Sequence, residues 1–276
     1  MLPRLRIPLL ACAAWCNAYT AHAESPVAAT ARPWVDERAF GAFQCHADFP
    51  LAPYENLLAE MAGVQGDLVR TLGIQAAREP VELYFFRDKT AYRSYLQNRY
   101  PDVPYRRALF VKGKGPGRVY VFKSGELPID VRHEGTHGLL HASLPMVPLW
   151  LDEGLAEFFE VPADRRAYGN PHLAELKWNL RLGMTPRLAV LEQKRDLAEM
   201  SAVDYRYAWA WVHFMLYGPR EAHEELVAFL RDIQQSTPPG QLSERLERRL
   251  PGVEKRLVSH FRNWKSPERV AKLIGR

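Results

Sequence analysis

The chain has 276 residues, 47% of them apolar and 25% charged, and 37 basic against 32 acidic side chains give a net charge of +5. These proportions are those of an ordinary globular protein and exclude a disordered chain, a collagen and a disulfide-stapled mini-protein. The length suffices for one large or two modest domains. The charge is uneven. Ten basic and four acidic residues from Gln241 to Arg276 give a local +6, Arg4 and Arg6 add +2, and the stretch between is therefore about −3. Glu244, Glu247, Glu254 and Glu268 interrupt the basic tail, so it reads as a solvated helical face, and no nucleic-acid partner is expected.

Residues 1–23 have the three parts of an export signal. Arg4 and Arg6 are the positive end, Ile7 to Cys16 is a short apolar run, and Ala21-His22-Ala23 is a small-x-small cleavage site. The run is well short of the ~20 residues that span a bilayer, and no later segment reaches that length. The mature chain is expected in the periplasm or medium. Leu9-Leu10-Ala11-Cys12 offers a second reading, a lipoprotein anchored through Cys12. Cleavage after Ala23 leaves Cys45 alone, which excludes an intramolecular disulfide and points to a buried structural thiol.

Val27 to Arg38 lacks periodicity and reads as an extended leader. Leu51 to Leu72 carries Leu57, Leu58, Met61, Val64, Leu68 and Leu72 at helical spacing, and Gly73 follows as a stop. Val81 to Phe86 fits a strand and Thr90 to Tyr100 a helix ended by Pro101. Ala108 to Lys112 and Arg118 to Phe122 read as a hairpin around Gly113–Gly117. After Pro128 the pattern turns helical, at Ile129–Ser143, Trp150–Val161, His172–Leu182, Tyr205–Tyr217, Glu221–Gln234, Leu242–Leu250 and Val253–Trp264. The fold class is α+β, a small N-terminal sheet with helices followed by a helical C-terminal half. A cleft between the halves is the natural place for a site.

Three segments carry chemistry: His133-Glu134-Gly135-Thr136-His137, Trp150-Leu151-Asp152-Glu153-Gly154-Leu155-Ala156-Glu157, and Tyr205. On an α-helix four residues advance about 400° and rise ~6 Å, so His133 and His137 stack on one face and can reach one ion. Glu134 lies about 100° away, beside such an ion rather than on it, where a base is needed. The fifteen residues between His137 and Glu153 allow that helix to end and a second to return, presenting Glu153 as third ligand. Glu157, one turn on, is either a carboxylate that accepts the remaining ring N–H of a ligand histidine or an exposed helix residue. His141 is about 12 Å along the axis from His133, too far for both to hold one ion. His46, His172, His213, His223 and His260 have no ligand spacing.

At these residues the chain resembles the gluzincins, zinc peptidases with a glutamate third ligand. More narrowly it resembles the secreted bacterial peptidase MA-like proteins, through HEGTH followed by PLWLDEGLAEFF. The resemblance covers roughly residues 50–235 and is sharpest at 131–160. It implies one zinc ion on His133, His137 and Glu153, with Glu134 as general base and then acid. Tyr205-Arg206-Tyr207-Ala208-Trp209 resembles the helix start where such enzymes carry an oxyanion-stabilising tyrosine. Tyr205 fits that position better than Tyr207, and two aromatics packing a helix start is the alternative. The gap to Glu153 is shorter than in the large aminopeptidases, and their Gly-x-Met-Glu-Asn segment is absent. Endopeptidase or narrow-substrate cleavage follows better than aminopeptidase action. The division read from the chain is a signal at 1–23, a leader at 24–50, a zincin-like α+β part at 51–160, a helical part at 161–240 and the basic tail at 241–276.

The expected reaction is hydrolysis of a peptide or protein substrate by metal-activated water, Glu134 moving the proton. Strand Arg118–Phe122 is expected to form the cleft edge and pair with the substrate main chain. The alternatives are a non-catalytic peptide- or envelope-binding protein that keeps the zinc fold, a structural protein with a fossil site, and a zinc hydrolase acting on a non-peptide bond.

Overall fold

The computed structural model describes residues 34–265. The export signal, the Cys12 alternative and the end of the basic tail lie outside those residues. Described first are two strands, β1 (Asp36–Phe40) and β2 (Phe43–Ala47), which pair antiparallel around Gly41. Gly41 sits at a φ of 56°, a left-handed turn that glycine adopts without steric cost. Part of the stretch read as leader is thus strand. Phe43, Cys45 and Ala47 alternate into the core, a two-residue period too short to stand out beside the helical signals.

Helix α1 (Glu55–Leu72) follows a short 3₁₀ turn and buries the six apolar residues named from its spacing; Gly73 ends it in the left-handed region at φ 65°. Strand β3 (Val81–Phe86), helix α2 (Lys89–Arg99), strands β4 (Leu109–Val111) and β5 (Arg118–Phe122) complete the sheet. Its order is β1-β2-β3-β5-β4, with β2, β3 and β5 parallel and the two outer strands antiparallel. The expected cleft edge is corrected here. Strand β5 is bonded on both sides, to β3 and β4, so the edge is β4.

Side chains alternate across the sheet. Val81, Leu83, Phe85, Val119 and Val121 join one core with α1, while Phe86, Leu109, Tyr120 and Phe122 join a smaller aromatic core with Tyr92 of α2. Both faces are therefore covered, as parallel strands require.

Helix α3 (Leu127–Ser143) lies on the α1 side. Pro128 in its first turn forgoes an amide that would lack an intrahelical partner anyway. Nearly all of α3 is buried, against sheet, α1 and the next helix, so its apolar and polar residues do not segregate to two faces. Arg132 grips Glu60 of α1 through two nitrogens, at 3.0 and 2.8 Å. Helix α4 (Leu149–Phe159) starts after Pro148. The helical half then runs α5 (His172–Arg181), α6 (Leu188–Leu191), α7 (Ala202–Tyr217), α8 (Arg220–Gln234), α9 (Leu242–Arg249) and α10 (Val253–Asn263). Helix α7 begins three residues before its first patterned residue because Ser201 and Asp204 form a reciprocal cap.

The tail packs into the same core through Leu242, Leu246, Leu257 and Phe261. Its Arg245 pairs with Glu225 and Asp232, and Arg249 with Glu224. Cys45 is buried, and burial pushes its thiol up to about 12, so it stays an unreactive thiol at neutral pH.

Candidate metal centre

The centre is built where α3 and α4 run side by side. On α3, His133 and His137 are one turn apart, and their ring centroids stand 5.0 Å from each other. Glu153 and Glu157 of α4 and Glu160, which caps its C-terminal end, fall at intervals of four and three residues, which puts the carboxylates in one stripe along the helix. The helices are antiparallel. His133 faces the end of α4 at Glu160, and His141 faces its start at Asp152.

Glu153 Oε2 lies 3.7 Å from His133 Nε2 and 3.8 Å from His137 Nε2. One ligand atom from each of these three residues falls within 4.8 Å of the others, and all three side chains are buried. His137 Nε2 and both carboxylate oxygens of Glu153 are buried with no hydrogen-bond partner. Leaving such atoms unpaired costs roughly 1–3 kcal/mol each, more for a charge. The set therefore fits a cation bound between them, and two imidazoles with one carboxylate is a donor set suited to zinc. Burial raises the Glu153 carboxyl against the pull of His137 and His133. Burial would lower the His137 ring, but Asp152 and Glu153 outweigh it and the ring is raised. Both shifts describe a pocket that favours bound positive charge, which a divalent ion supplies by displacing protons.

The other ring nitrogens are held by carboxylates. His137 Nδ1 meets Asp152 Oδ1 at 2.9 Å, and Asp152 Oδ2 also takes His141 Nε2 at 3.0 Å. Asp152 is fully buried, yet His137 and His141 hold its carboxyl far below the usual range. His133 Nδ1 meets Glu160 Oε2 at 3.0 Å. Such contacts fix the tautomer and aim of a ligand imidazole. Sequence reasoning offered Glu157 for this part. The structure places the Glu157 carboxylate instead on His172 Nε2, at 3.0 Å, and puts Glu160 against His133. Glu157 is buried, not exposed. Burial and the neighbouring Glu157 charge raise Glu160 to about 7. His133, Glu157 and Glu160 form a second group whose ligand atoms lie within 4.8 Å, but their carboxylates are already spent on His133 and His172.

Asp152, Glu160, His141 and His172 were missed. The stripe Glu153, Glu157, Glu160 held the signal for Glu160. His141 two turns beyond His133 marked the same face of α3, so a carboxylate partner on α4 was to be expected for it.

Glu134 projects from α3 as its spacing requires; it is 1% exposed and its Oε2 has no hydrogen-bond partner. Tyr205 occupies the first turn of α7, buried in a cluster with Leu197 and Met200 against Leu149, one turn before Glu153 on α4. Tyr207 is only partly buried and packs against the main core. Helices α4 and α7 come close because position 154 is glycine. A Cβ there would meet the Ala208 carbonyl oxygen at 2.7 Å.

A family model described as "protein of unknown function (DUF1570)" matches residues 129–240. No curated protein matches the chain. Among solved structures, the chain is similar to an M1 zinc metallopeptidase from Deinococcus radiodurans, at 14% identity and a TM-score of 0.43, and to a point mutant of that enzyme, at 14% and 0.42. Each match covers 84% of this chain and 52% of the other, so the chain spans about half the length of those structures.

Proposed function

We propose that the protein is an exported zinc-dependent peptidase of the gluzincin type, with His133, His137 and Glu153 as the ligands of one zinc ion. The observation that carries this reading is the convergence of three buried ligand atoms within 4.8 Å, with His137 Nε2 and the Glu153 carboxylate lacking hydrogen bonds. When bound, zinc would supply a Lewis acid for the scissile carbonyl and for a water molecule.

The remaining work falls to the chain's own residues. Glu134, adjacent to the ligand pair and lacking a donor on Oε2, takes the proton from the attacking water. It then delivers that proton to the leaving nitrogen, the general-base and general-acid role its position on α3 supports. Asp152 and Glu160 hold the two imidazoles in the tautomer that leaves each Nε2 facing Glu153. Tyr205, packed against the residue one turn before Glu153, is the candidate donor to the developing oxyanion. The substrate main chain pairs with edge strand β4, whose outer side has no strand neighbour among the described residues.

The test is Glu134→Gln beside wild type, with zinc content and peptide-library cleavage measured together. Expected is one zinc per chain in both and cleavage in wild type alone. Zinc in both with cleavage in neither would favour the peptide-binding reading, and absence of zinc from both would end the proposal. Export belongs to the same reading, and a mature N-terminus at Glu24 in the exported fraction is its expected signature.

A further inference from the structure

A cluster of positive charge lies between Arg87 and Arg107. This segment holds six basic residues (Arg87, Lys89, Arg93, Arg99, Arg106 and Arg107) against Asp88 and Asp102, inside a body whose sum is negative. Its cations and acids are not matched. Asp88 caps α2 and lies 3.7 Å from Arg87, while Arg107 is held by buried Asp130 at 2.7 Å. Lys89, Arg93 and Arg106 have no carboxylate partner among the described residues. Lys89 Nζ and Arg93 Cζ instead stand 4.8 and 5.0 Å from the ring of Tyr105, which is 48% exposed. Arg106 Nε is buried with no hydrogen-bond partner.

This charge borders the metal centre. Asp130, to which Arg107 is tied, lies four residues before Glu134 on α3, on the same face of the helix. Tyr92 of α2 donates its hydroxyl to the Arg106 carbonyl at 2.9 Å. Burial, together with the charges of Glu134, Tyr105 and Asp130, raises that hydroxyl's pKa, and Arg106 opposes them. Glu134, Tyr92 and Arg106 therefore share one electrostatic neighbourhood. The segment then runs directly into edge strand β4 at Leu109.

We propose that Arg106, with Lys89 and Arg93 behind it, forms a subsite for an aspartate or glutamate side chain of the peptide substrate. The inference rests on the peptidase reading above and adds a substrate class to it. A peptide strand laid along β4 passes Arg106 as it leaves the strand's N-terminal end. The half-buried Arg106 guanidinium can meet a planar carboxylate with two parallel hydrogen bonds through its Nη atoms. A peptide fits this place better than a lipid surface because the cations adjoin a strand edge able to bind main chain.

The test uses zinc-loaded, full-length protein and three fluorescent octapeptides differing only in one central residue, glutamate, glutamine or lysine. Binding is read by anisotropy on the Glu134→Gln protein and kcat/KM on wild type. The glutamate peptide is expected to bind about tenfold or more tightly than the glutamine peptide, and the preference to shrink with added salt. Arg106→Glu, and separately Lys89→Glu with Arg93→Glu on the exposed face of α2, should reverse the order of the glutamate and lysine peptides at unchanged zinc content. Equal binding of the three peptides, or a preference untouched by both variants, would overturn the subsite. Cleavage without charge preference sinks the subsite and leaves the peptidase. Charge-selective binding without cleavage by wild type does the reverse. If phosphatidylglycerol vesicles bind through these residues while the peptides are not distinguished, the patch is a lipid site and the proposal falls.

Discussion

Replacing Gly154 by alanine adds a Cβ that meets the Ala208 carbonyl oxygen at 2.7 Å and its carbon at 2.8 Å. Both atoms are backbone, so no rotamer change relieves the contact, and α4 and α7 must separate by about 0.7 Å to restore ordinary van der Waals distance. Overpacking of this kind costs roughly 1–3 kcal/mol. The same displacement carries Glu153, the adjacent residue, relative to the imidazoles of α3. The variant should therefore lose both stability and zinc affinity. Gly63→Ala is the matched control, since Gly63 lies in α1 with nothing within 4 Å of an added Cβ. There the gain in helix propensity should stabilise by about 0.8–1.0 kcal/mol. Urea unfolding with and without zinc, together with a competitive chelator titration, measures all three quantities. A Gly154→Ala protein as stable as wild type and unchanged in zinc affinity would refute the packing argument.

Other outcomes follow from the same contacts. Asp152→Ala and Glu160→Ala each strip an imidazole of the proposed ligand set of its carboxylate, and each should weaken zinc binding about 10–100-fold by chelator competition; Glu157→Ala, whose carboxylate meets His172 and Glu160 rather than either of those imidazoles, should weaken it less. His213 of α7 is buried between the Ala167 carbonyl and His260 of α10, and burial lowers its ring pKa to about 3. The unfolded chain takes up that proton near 6.5 and the folded chain does not, so this stabilisation is full above pH 6.5 and is lost as pH falls toward 3. At pH 5 the loss is roughly 2 kcal/mol from this group. Urea midpoints at pH 7.5 and 5 should fall less in His213→Gln than in wild type, and an equal fall would contradict the assignment.

Much of this centre was legible because helical geometry turns spacing into position. A spacing of four from His133 to His137 and a second helix bearing Glu153 suffice to bring three donors together, and α3 and α4 begin and end within two residues of where their prolines and periodicity put them. The carboxylates behind the imidazoles were less legible. Glu157 and Glu160 are both one or two turns past Glu153, and only the crossing of the helices decides which meets His133. The β1–β2 hairpin was read as leader because five-residue strands alternate too briefly to register against alanine and proline nearby. Strand β5 reads as the cleft edge because it just precedes helix α3 in sequence, whereas the sheet places β4 outside it. The unpaired cations of 87–107 were hidden in a whole-chain charge whose visible excess lay in the tail, where Arg245 and Arg249 turn out to be neutralised by α8.

The most direct test of the account is an anomalous difference map at the zinc edge from crystals grown with zinc. The account predicts one peak, about 2.0–2.2 Å from a ring nitrogen of His133, a ring nitrogen of His137 and an oxygen of Glu153. A peak held by His133, Glu157 and Glu160 instead, or no peak between α3 and α4, would contradict it.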